Sequence, residues 1–358
     1  MTPPDRAPEG TPVGLVSYVM PVLNERESLP GAVAAVLSQQ HPGASELILA
    51  VGPSVDGTED LAAALAAADP RIRVVANPDI HIPAGLNRAI TASRGAIVIR
   101  VDAHAELPSG YTAQMLAALE RTGAANVGGV MHAKGTSPVQ SAIARAYNSS
   151  LGLGGGVYHG GTTEGPADSA YLGVFRRSVL TEVGLYDESL RRGEDYDLNQ
   201  RIIAAGHEVW FLPSVAVTYW PRTSWSALAR QMWATGAWRG EMVRRDRRTA
   251  PRYLVAPALV VGLAGSVLAG LAQLAGAPAM PIALLHAAPL SYAAFLLYAG
   301  WRIGGDGESA RGPADLARSM RALATMHLSW GAGFLRGLVT GAGDTVDRSR
   351  VHALDHED

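Results

Sequence analysis

The sequence predicts an α/β domain built on a mostly parallel sheet, followed by helices that associate with a membrane. From residue 13 to about 222, short apolar runs typical of strands alternate with alanine-rich stretches typical of helices. This alternation is the pattern of βαβ units. Beyond residue 222, two long runs contain no charged residue. Charged residues make up 17% of the 358 residues, below the usual share of about a quarter, which also favours membrane segments.

The first part resolves into strands and helices in order. The predicted strands are 13–22, 46–51, 71–76 and 96–101, and the predicted helices are 28–39, 58–68 and 85–93. Gly95 is expected to end the last of these helices, because glycine adopts the left-handed conformation of a helix end at little cost. Asp102 and His104 follow the fourth strand. Strand ends of this kind are where open α/β sheets place their ligands.

Composition predicts the segments at either end and the stretch before the apolar runs. Residues 1–12 hold four prolines and no apolar run, which predicts a disordered lead rather than a signal peptide or anchor. Residues 223–252 are rich in arginine and tryptophan. This mixture indicates a helix at a membrane interface, and a solvated surface helix is the alternative. The acidic stretch 341–358 is expected to be a disordered tail.

The two uncharged runs predict a transmembrane hairpin over 253–301. The first, 253–274, has 22 residues, and at about 1.5 Å per residue it matches the hydrocarbon thickness of a bilayer. The second is placed at 282–301. Arginines flank both outer ends, so the positive-inside rule predicts a multi-pass protein of the cytoplasmic membrane with its α/β domain in the cytoplasm. Residues 302–340 contain a shorter apolar stretch, which predicts an interfacial or re-entrant helix, with a third span as the alternative.

Composition also excludes several function classes. The sequence contains no cysteine, so disulfide frameworks, thiolate metal sites and cysteine nucleophiles are excluded. The net charge of −2 argues against a general nucleic-acid binder, which carries a basic surface. Nucleic acid is therefore not expected as a partner. Membrane lipids are expected as partners because of the stretch at 223–252 and the two apolar runs.

Five separated motifs carry a resemblance to a known family. They lie at 19–25, 54–58, 85–89, 100–104 and 193–198. In this order they resemble a family 2 glycosyltransferase of the GT-A fold. Asp-Ala-His-Ala at 102–105, Gly-Glu-Asp-Tyr-Asp-Leu at 193–198 and Arg-Gln…Gly-x-Trp-Arg at 230–239 resemble its succinoglycan-biosynthesis ExoA-like branch. The resemblance implies a Rossmann-like nucleotide-sugar-binding domain over 13–222.

Asp102 and His104 have the residue types and spacing of metal ligands. A divalent cation held by a carboxylate and an imidazole neutralises a departing diphosphate without proton transfer. The imidazole favours Mn²⁺ over Mg²⁺. Alternatively, Asp102 caps the following turn and His104 packs against neighbours. The resemblance implies a donor site made of Pro21, Asn24, Glu25, Asp56, Asn87, Arg100 and Asp102.

One departure from the family concerns the donor nucleotide. Relatives usually end the second strand with an acidic pair, of which the first member contacts uracil, and here the stretch is Val51-Gly52-Pro53-Ser54. UDP-sugar is the donor that the family implies by default. Because Val51 and Gly52 have no carboxylate, a GDP- or dTDP-linked donor stays open.

An inverting transfer needs a base that removes the proton of the acceptor hydroxyl. The resemblance implies Asp195 as this base. Acidic residues in a first helical turn also occur for capping alone, which is the alternative. Residues expected on the acceptor side are Glu194, Asp168, Arg230, Gln231, Trp238 and Arg239.

Taken together, the resemblance and the apolar runs predict a membrane-anchored, metal-dependent, inverting glycosyltransferase. It would move a sugar from a nucleotide-sugar donor to a lipid-linked, polyprenyl-diphosphate glycan acceptor in bacterial polysaccharide or cell-envelope glycan synthesis. Two alternatives stay open. One is a polyprenyl-phosphate sugar synthase, and the other is a non-catalytic GT-A membrane scaffold, which the missing acidic pair would favour.

Overall fold

The computed structural model describes residues 14–152, 156–246, 249–278, 283–304, 312–343 and 345. The chain divides into two compact units. The first comprises Met1–Gly128, Gly165–Asp187 and Leu198–Val215, and the second comprises Gly129–Glu164, Glu188–Asp197 and Ala216–Asp358. The predicted lead at 1–12, part of the turn between the two predicted spans and residues 344 and 346–358 of the predicted tail lie outside the described residues.

The chain forms an eight-stranded mixed sheet. Its strands are β1 Val16–Val22, β2 Ser45–Val51, β3 Ile72–Ala76, β4 Ile97–Arg100, β5 Asn126–Ala133, β6 Gly165–Pro166, β7 Tyr171–Arg176 and β8 Val209–Tyr219. The spatial order is β3-β2-β1-β4-β7-β5-β8-β6. Strands β1 to β4 are parallel, while β7 pairs antiparallel with β4 and β6 antiparallel with β8. The strand order reverses at β1, and open sheets bind ligands where it reverses.

Helices connect these strands as the alternation predicts. They are α1 Leu29–Leu37, α2 Thr58–Ala68, α3 Ile82–Ala92, α4 Tyr111–Thr122, α5 Pro138–Tyr147, α6 Arg177–Val183 and α7 Glu194–Ala204. Each strand and helix predicted between residues 13 and 101 is present, with shifted ends. Strand β1 is buried along nearly its whole length, as expected for a parallel strand covered on both faces.

Gly95 has a different role from the predicted one. Helix α3 ends at Ala92, its C-cap Ser93 is extended, and Gly95 does not have a positive φ. A side chain at Gly95 would instead overlap the Leu15 carbonyl and the Ser17 hydroxyl. Glycine is needed here for close approach of the backbone, so the predicted left-handed helix end was wrong.

A closed polar network lies at the amino-terminal ends of β1 and β2. The buried Glu46 carboxylate accepts hydrogen bonds from the Ser17 hydroxyl at 2.8 Å and the Arg94 N–H at 2.6 Å. The Arg94 guanidinium lies 3.2 Å from its second oxygen. The Ser17 oxygen in turn accepts from the Gly95 N–H at 2.7 Å. Every oxygen of this buried carboxylate is therefore paired.

The second unit contains four long helices within its described residues. They are α8 Trp225–Asp246, α9 Val255–Leu274, α10 Ala287–Ile303 and α11 Pro313–Thr340, with 3₁₀ turns at Pro251–Leu254 and Ala283–His286. Helices α8 and α11 touch through glycines four residues apart. A side chain at Gly236, Gly240, Gly333 or Gly337 would overlap a backbone carbonyl of the facing helix. Small residues at this spacing allow two helix backbones to approach closely.

The arginine- and tryptophan-rich stretch at 223–252 forms most of α8 and is more buried than a lone interfacial helix. Trp238 is 4% exposed, whereas Trp233 is 38% exposed. The Trp238 indole donates to the Thr345 carbonyl at 2.7 Å, and Ala342 is buried in the same cluster. The described start of the predicted tail therefore packs against α8 rather than being disordered.

Among the described residues, one segment, Pro251–Leu274, is long and apolar enough to cross a membrane. Its side chains include Leu268 and Leu274, which are 66% and 88% exposed. The second predicted span forms α10, whose 17 residues are fewer than the roughly 20 that a span needs. The described helices thus do not support the multi-pass prediction. The apolar part of 302–340 belongs to the 28-residue helix α11 rather than to a short interfacial helix.

Candidate active site

The predicted metal ligands lie where the strand order reverses. Asn24 and Glu25 follow β1, and Asp102 and His104 follow the neighbouring parallel strand β4, so all four residues lie at one edge of the sheet. Glu25 Oε1 lies 2.8 Å from His104 Nδ1. Because an ionised carboxylate only accepts, Nδ1 donates and the lone pair of a neutral imidazole is at Nε2. This is the tautomer that metal-binding histidines adopt when a carboxylate orients them.

The Asp102 carboxylate is positioned by the neighbouring Arg100. Arg100 Nε donates to Asp102 Oδ1 at 3.1 Å, and the side chains are 5% and 20% exposed. The guanidinium also lies 6.0 Å from the centre of the Tyr186 ring. A buried guanidinium needs a nearby anion, so Arg100 and Asp102 hold each other in place at the strand end.

These residues fit a divalent cation that is shared with a phosphate. In the part of the chain that the structure describes, no group of three or more histidine, aspartate or glutamate side chains could enclose a metal ion. The Asp102 carboxylate and the His104 imidazole are the two ligands that the sequence predicts. Mg²⁺-type sites commonly have one or two protein ligands and take the rest from phosphate and water.

Asn24 has the features of a ligand contact. Its φ of 52° is left-handed, a conformation that asparagine tolerates better than most residues. Asn24 Oδ1 accepts a hydrogen bond from the Val55 N–H at 2.9 Å, and the backbone N–H of Asn24 donates to the Ser54 hydroxyl at 3.1 Å. Its Nδ2 is buried and has no hydrogen-bond partner among the described residues. A buried donor of this kind is costly unless a ligand accepts from it.

Asp56 is committed to holding two loops together. Its carboxylate accepts from the Arg26 N–H at 3.1 Å and from the Thr58 N–H and hydroxyl at 3.0 and 2.5 Å. Burial raises the pKa of Asp56, but these hydrogen bonds outweigh burial and leave the pKa below its ordinary value. Contact of Asp56 with a donor stays a prediction.

The remaining residues predicted on the donor side shape the framework. The Asn87 side chain donates to the Tyr186 carbonyl at 2.9 Å and accepts from the Tyr186 N–H at 3.0 Å. Pro21 lies in β1 opposite Ala50, and it lies under Gly85 of α3. Nothing in the sequence around Tyr186 predicted its double role beside Asn87 and Arg100.

In the second unit, Glu194 and Asp195 begin α7. Gly193 precedes them with a φ of 80°, and a side chain there would collide with Met242. Glu194 is buried and Asp195 is half-buried. The positive end of a helix dipole stabilises carboxylates in the first turn, so both residues suit this position.

Tyr196 follows Asp195 in the chain, and the Arg239 side chain lies against the rings of both Tyr196 and Tyr253. The Arg239 guanidinium is 3.5 Å from the centre of the Tyr196 ring and 4.3 Å from that of Tyr253. The two rings meet edge-on at 5.9 Å. Tyr253 is in the 3₁₀ turn that leads into α9. We call Asp195, Tyr196, Arg239, Tyr253 and the neighbouring Arg252 the arginine–tyrosine cluster.

The pKa of Tyr158 depends on the charged groups of the arginine–tyrosine cluster. Burial raises the pKa of Tyr158 well above its ordinary value, and Tyr253 and Asp195 add to the increase. Arg239 and Arg252 act in the opposite direction. The predicted base and two arginines are thus close enough to influence one buried hydroxyl.

The other residues predicted on the acceptor side lie elsewhere. Gln231 is buried, accepts from the Tyr147 hydroxyl at 3.1 Å and donates to the Tyr219 hydroxyl at 3.1 Å. Trp238 is buried as described above, and Arg230 is exposed on α8. Asp168 belongs to the first unit, where its carbonyl accepts from Gln200. Of the four predicted residues on α8, Arg239 stacks on Tyr196, and Tyr196 also packs against the cluster that contains Trp238.

Comparison with known proteins assigns the family. Residues 17–184 match Glycosyl transferase family 2. The chain is 31% identical over 325 residues to the Succinoglycan biosynthesis protein ExoA of Rhizobium meliloti, covering 90% of this chain and 94% of that protein. The chain is a family 2 glycosyltransferase.

Two further similarities agree with this assignment. The family 2 glycosyltransferase is 22% identical over 242 residues to a dolichyl N-acetyl-α-D-glucosaminyl phosphate 3-β-D-2,3-diacetamido-2,3-dideoxy-β-D-glucuronosyltransferase of Methanococcus voltae, covering 65% of this chain and 75% of that enzyme. Its fold is similar to that of a mannosyltransferase from Pyrobaculum calidifontis solved with GDP-Man and Mn²⁺, with a TM-score of 0.60 and 20% identity. That match covers 94% of this chain and 91% of the other.

These findings confirm the predicted family, the GT-A fold and the enzyme class. The family 2 match ends at residue 184, before Glu194, Asp195 and Arg239. The roles of these three residues, like those of the predicted donor-site and metal-binding residues, stay predictions. The motifs did not indicate a role for Tyr253 or Arg252. Both lie at the end of the stretch that is rich in arginine and aromatic residues, and this composition is the signal that points to them.

Proposed function

We propose that this glycosyltransferase moves a sugar from a nucleotide-sugar donor to a lipid-linked acceptor during extracellular polysaccharide synthesis. One observation carries the proposal. Tyr196, next to the predicted base Asp195, contacts Tyr253 at the start of the segment Pro251–Leu274. An exposed apolar segment of this length favours a membrane location, and an acceptor in the same membrane would then be near the base.

The named relatives support the acceptor and the pathway class. The Rhizobium meliloti relative is named for succinoglycan biosynthesis, and the Methanococcus voltae relative is named for transfer to a dolichyl-phosphate-linked sugar. The arginines around 223–252 favour a cytoplasmic location for the start of the apolar segment. The proposed location is therefore the cytoplasmic face of the cell membrane, with the first unit in the cytoplasm.

At the donor site, Asp102 and His104 would hold a divalent cation, Mn²⁺ or Mg²⁺, together with the donor diphosphate. When bound, the cation neutralises the charge of the departing nucleotide. Glu25 keeps the His104 imidazole in the metal-binding tautomer, and Arg100 orients Asp102. The buried Asn24 Nδ2 donates a hydrogen bond to the nucleotide-sugar. UDP-sugar is the default donor, and GDP- and dTDP-sugars belong in the test, because Val51 and Gly52 offer no carboxylate.

Asp195 would act as the base. The acceptor hydroxyl oxygen attacks the anomeric carbon from the side opposite the diphosphate, and the bond between that carbon and the diphosphate oxygen breaks. The hydroxyl proton passes to the Asp195 carboxylate, and the configuration at the anomeric carbon inverts. The first turn of α7 is a favourable position for a carboxylate, and a general base must be within reach of the proton that it accepts.

The test uses the full chain in native membranes and a panel of radiolabelled UDP-, GDP- and dTDP-sugars. We expect label from one donor to enter the organic-solvent fraction when a divalent cation is present. In Asp195→Asn, transfer should be lost while nucleotide binding is kept. Asp197→Asn, in the same helical turn, is the matched control and should retain transfer. Full transfer by Asp195→Asn would overturn the assignment of the base.

A polyprenyl-phosphate sugar synthase is the second candidate, and the same variant separates it. A phosphate acceptor is already ionised and needs little help from a base. If polyprenyl monophosphate alone accepts the label and Asp195→Asn keeps that activity, the second candidate is correct. If lipid is labelled only when a polyprenyl-diphosphate glycan is present, the first candidate, transfer to a lipid-linked glycan, is correct.

A further inference from the structure

The second unit contains a cavity with no assigned ligand. It holds about 510 Å³, within the roughly 300–1,000 Å³ range of small-molecule sites. The described parts of α9, α10 and α11 supply most of its lining, which is largely apolar and aromatic. Its larger side chains are Tyr253, Leu259, Tyr292, Phe295, His327 and Trp330.

The cavity lining changes character along the chain. Arg252 and Tyr253 come first, and Val255, Ala256 and Leu259 follow over the first two turns of α9. The charged Arg252 side chain is thus followed along the chain by apolar side chains that line the cavity. A ligand that matches this order has an anionic head and a hydrocarbon chain.

Two arginines concentrate positive charge at Tyr253. The Arg252 guanidinium lies 4.8 Å from the centre of the Tyr253 ring and donates to its hydroxyl at 3.2 Å. The Arg239 guanidinium lies 4.3 Å from the same ring. Guanidinium groups bind phosphate through charge-assisted hydrogen bonds, so this part of the cavity suits a phosphate.

The cavity is also accessible from an apolar surface. Val255 of α9 is 67% exposed, and Ser291 of α10 is exposed, although both line the cavity. Leu290, next to Ser291, is 72% exposed. A lipid chain in the surrounding membrane could therefore enter the cavity without first passing through water.

We propose that this cavity binds the first isoprene units of a polyprenyl-phosphate-linked acceptor, and that Arg252 binds the phosphate to which they are attached. The inference rests on the proposed function and names the part of the acceptor that the enzyme recognises. Tyr253 contacts both the cavity and Tyr196, so a phosphate at Arg252 places the attached sugar toward Asp195. Arg252 is a binding residue here, and no step of the transfer uses it.

The test measures lipid retention by native mass spectrometry of the detergent-solubilised full chain. The probes are undecaprenyl monophosphate and phosphatidylglycerol, each at the same concentration. We expect a bound polyprenyl phosphate on the wild type that an equal amount of phosphatidylglycerol does not displace. Ser291→Trp and Leu259→Trp, which fill the cavity from two different helices, should abolish it. Arg252→Gln should weaken it by about tenfold, the effect of one lost charge-assisted bond.

The matched control is Ala294→Trp, which adds the same bulk at an exposed position of α10 outside the cavity lining. It should retain the lipid like the wild type. Equal retention by both cavity-filling variants, or displacement by phosphatidylglycerol, would overturn the proposal. Nucleotide binding is measured on every variant, so a misfolded chain is recognised.

Failure of this inference differs from failure of the proposed function. If the wild type transfers label to lipid but the cavity-filling variants do so equally well, the acceptor binds elsewhere and only the inference is wrong. If undecaprenyl phosphate is retained but no donor labels any lipid, the cavity site stands and the proposed reaction is wrong.

Discussion

The two ends of the parallel strands use the same residue types in opposite ways. At the amino-terminal ends, Glu46 is 4% exposed and both its oxygens are paired with Ser17 and Arg94. At the carboxyl ends, the Asp102 and Glu25 side chains are 20% and 21% exposed. Asp102 accepts from Arg100, and Glu25 accepts from His104 and Ser28. A carboxylate, an arginine and a hydroxyl or imidazole occur at both ends, but only one end leaves the carboxylates within reach of a ligand.

Backbone strain follows the same division. Asn24, at the carboxyl end, has a left-handed φ and a buried Nδ2 without a partner among the described residues. Such features cost about 1–3 kcal/mol each and persist where the surrounding structure enforces them. The closed end thus contributes stability, while the open end keeps binding groups at the expense of stability. Substitutions at matched positions test this difference.

The largest expected effect is that of Asp102→Asn. The change keeps the shape of the side chain and removes the charge that balances Arg100 and would bind a cation. We expect metal-dependent nucleotide binding, measured by titration calorimetry with UDP, GDP and dTDP, to fall by at least about a hundredfold. Asp69→Asn changes a half-buried carboxylate that is paired with Arg71 in the same unit; it is the control and should bind normally. Unchanged binding by Asp102→Asn would remove the functional half of the comparison.

At the opposite end, Glu46→Gln should affect stability and leave nucleotide binding unchanged. Removing the charge leaves the Arg94 guanidinium without its carboxylate and weakens the bonds from Ser17 and the Arg94 backbone. The expected loss is about 2 kcal/mol in the free energy of unfolding, measured by thermal unfolding of the detergent-solubilised chain. A variant that unfolds like the wild type but binds nucleotide poorly would reverse the roles of the two ends.

How much of this the sequence predicts depends on whether a feature is local. The strands and helices up to residue 101 follow from short-range patterns, and Asp102 and His104 follow from their position after a strand. The pairing of Glu25 with His104 joins residues 79 positions apart. No local pattern contains that information, so Glu25 was predicted only as a donor contact.

The second unit shows the same limit for helices. Apolar composition predicts Pro251–Leu274 because a span needs only length and hydrophobicity. Composition gave no sign that Trp238 is buried, because this depends on the contact of α8 with α11 and on Ala342. The glycines four residues apart in α8 and α11 are the sequence signal for that contact.

A smaller effect is expected from Glu25→Gln, which tests whether Glu25 acts through His104. Glutamine can still accept from His104 Nδ1, but it can also donate, so the metal-binding tautomer is no longer enforced. We expect the affinity for Mn²⁺ in the presence of nucleotide to fall by about tenfold, with little change in thermal stability. A purely structural role would instead lower the unfolding temperature and leave the Mn²⁺ titration unchanged. Glu27→Gln, an exposed neighbour, is the control.

The smallest effect is the pH dependence at Glu46. Burial raises the pKa of Glu46, but the hydrogen bonds from Arg94 and Ser17 and the Arg94 charge outweigh burial and hold the pKa below its ordinary value of 4.5. A carboxyl group with a lowered pKa in the folded state stabilises the protein above its ordinary pKa, and this contribution is lost as the pH falls through the folded-state value. The wild type should therefore unfold about 2–4 °C above Glu46→Gln near neutral pH, and the gap should narrow only below pH 4.5. A gap that is constant down to about pH 3 would contradict the assignment, because the Glu46 charge would then contribute nothing to the closed network.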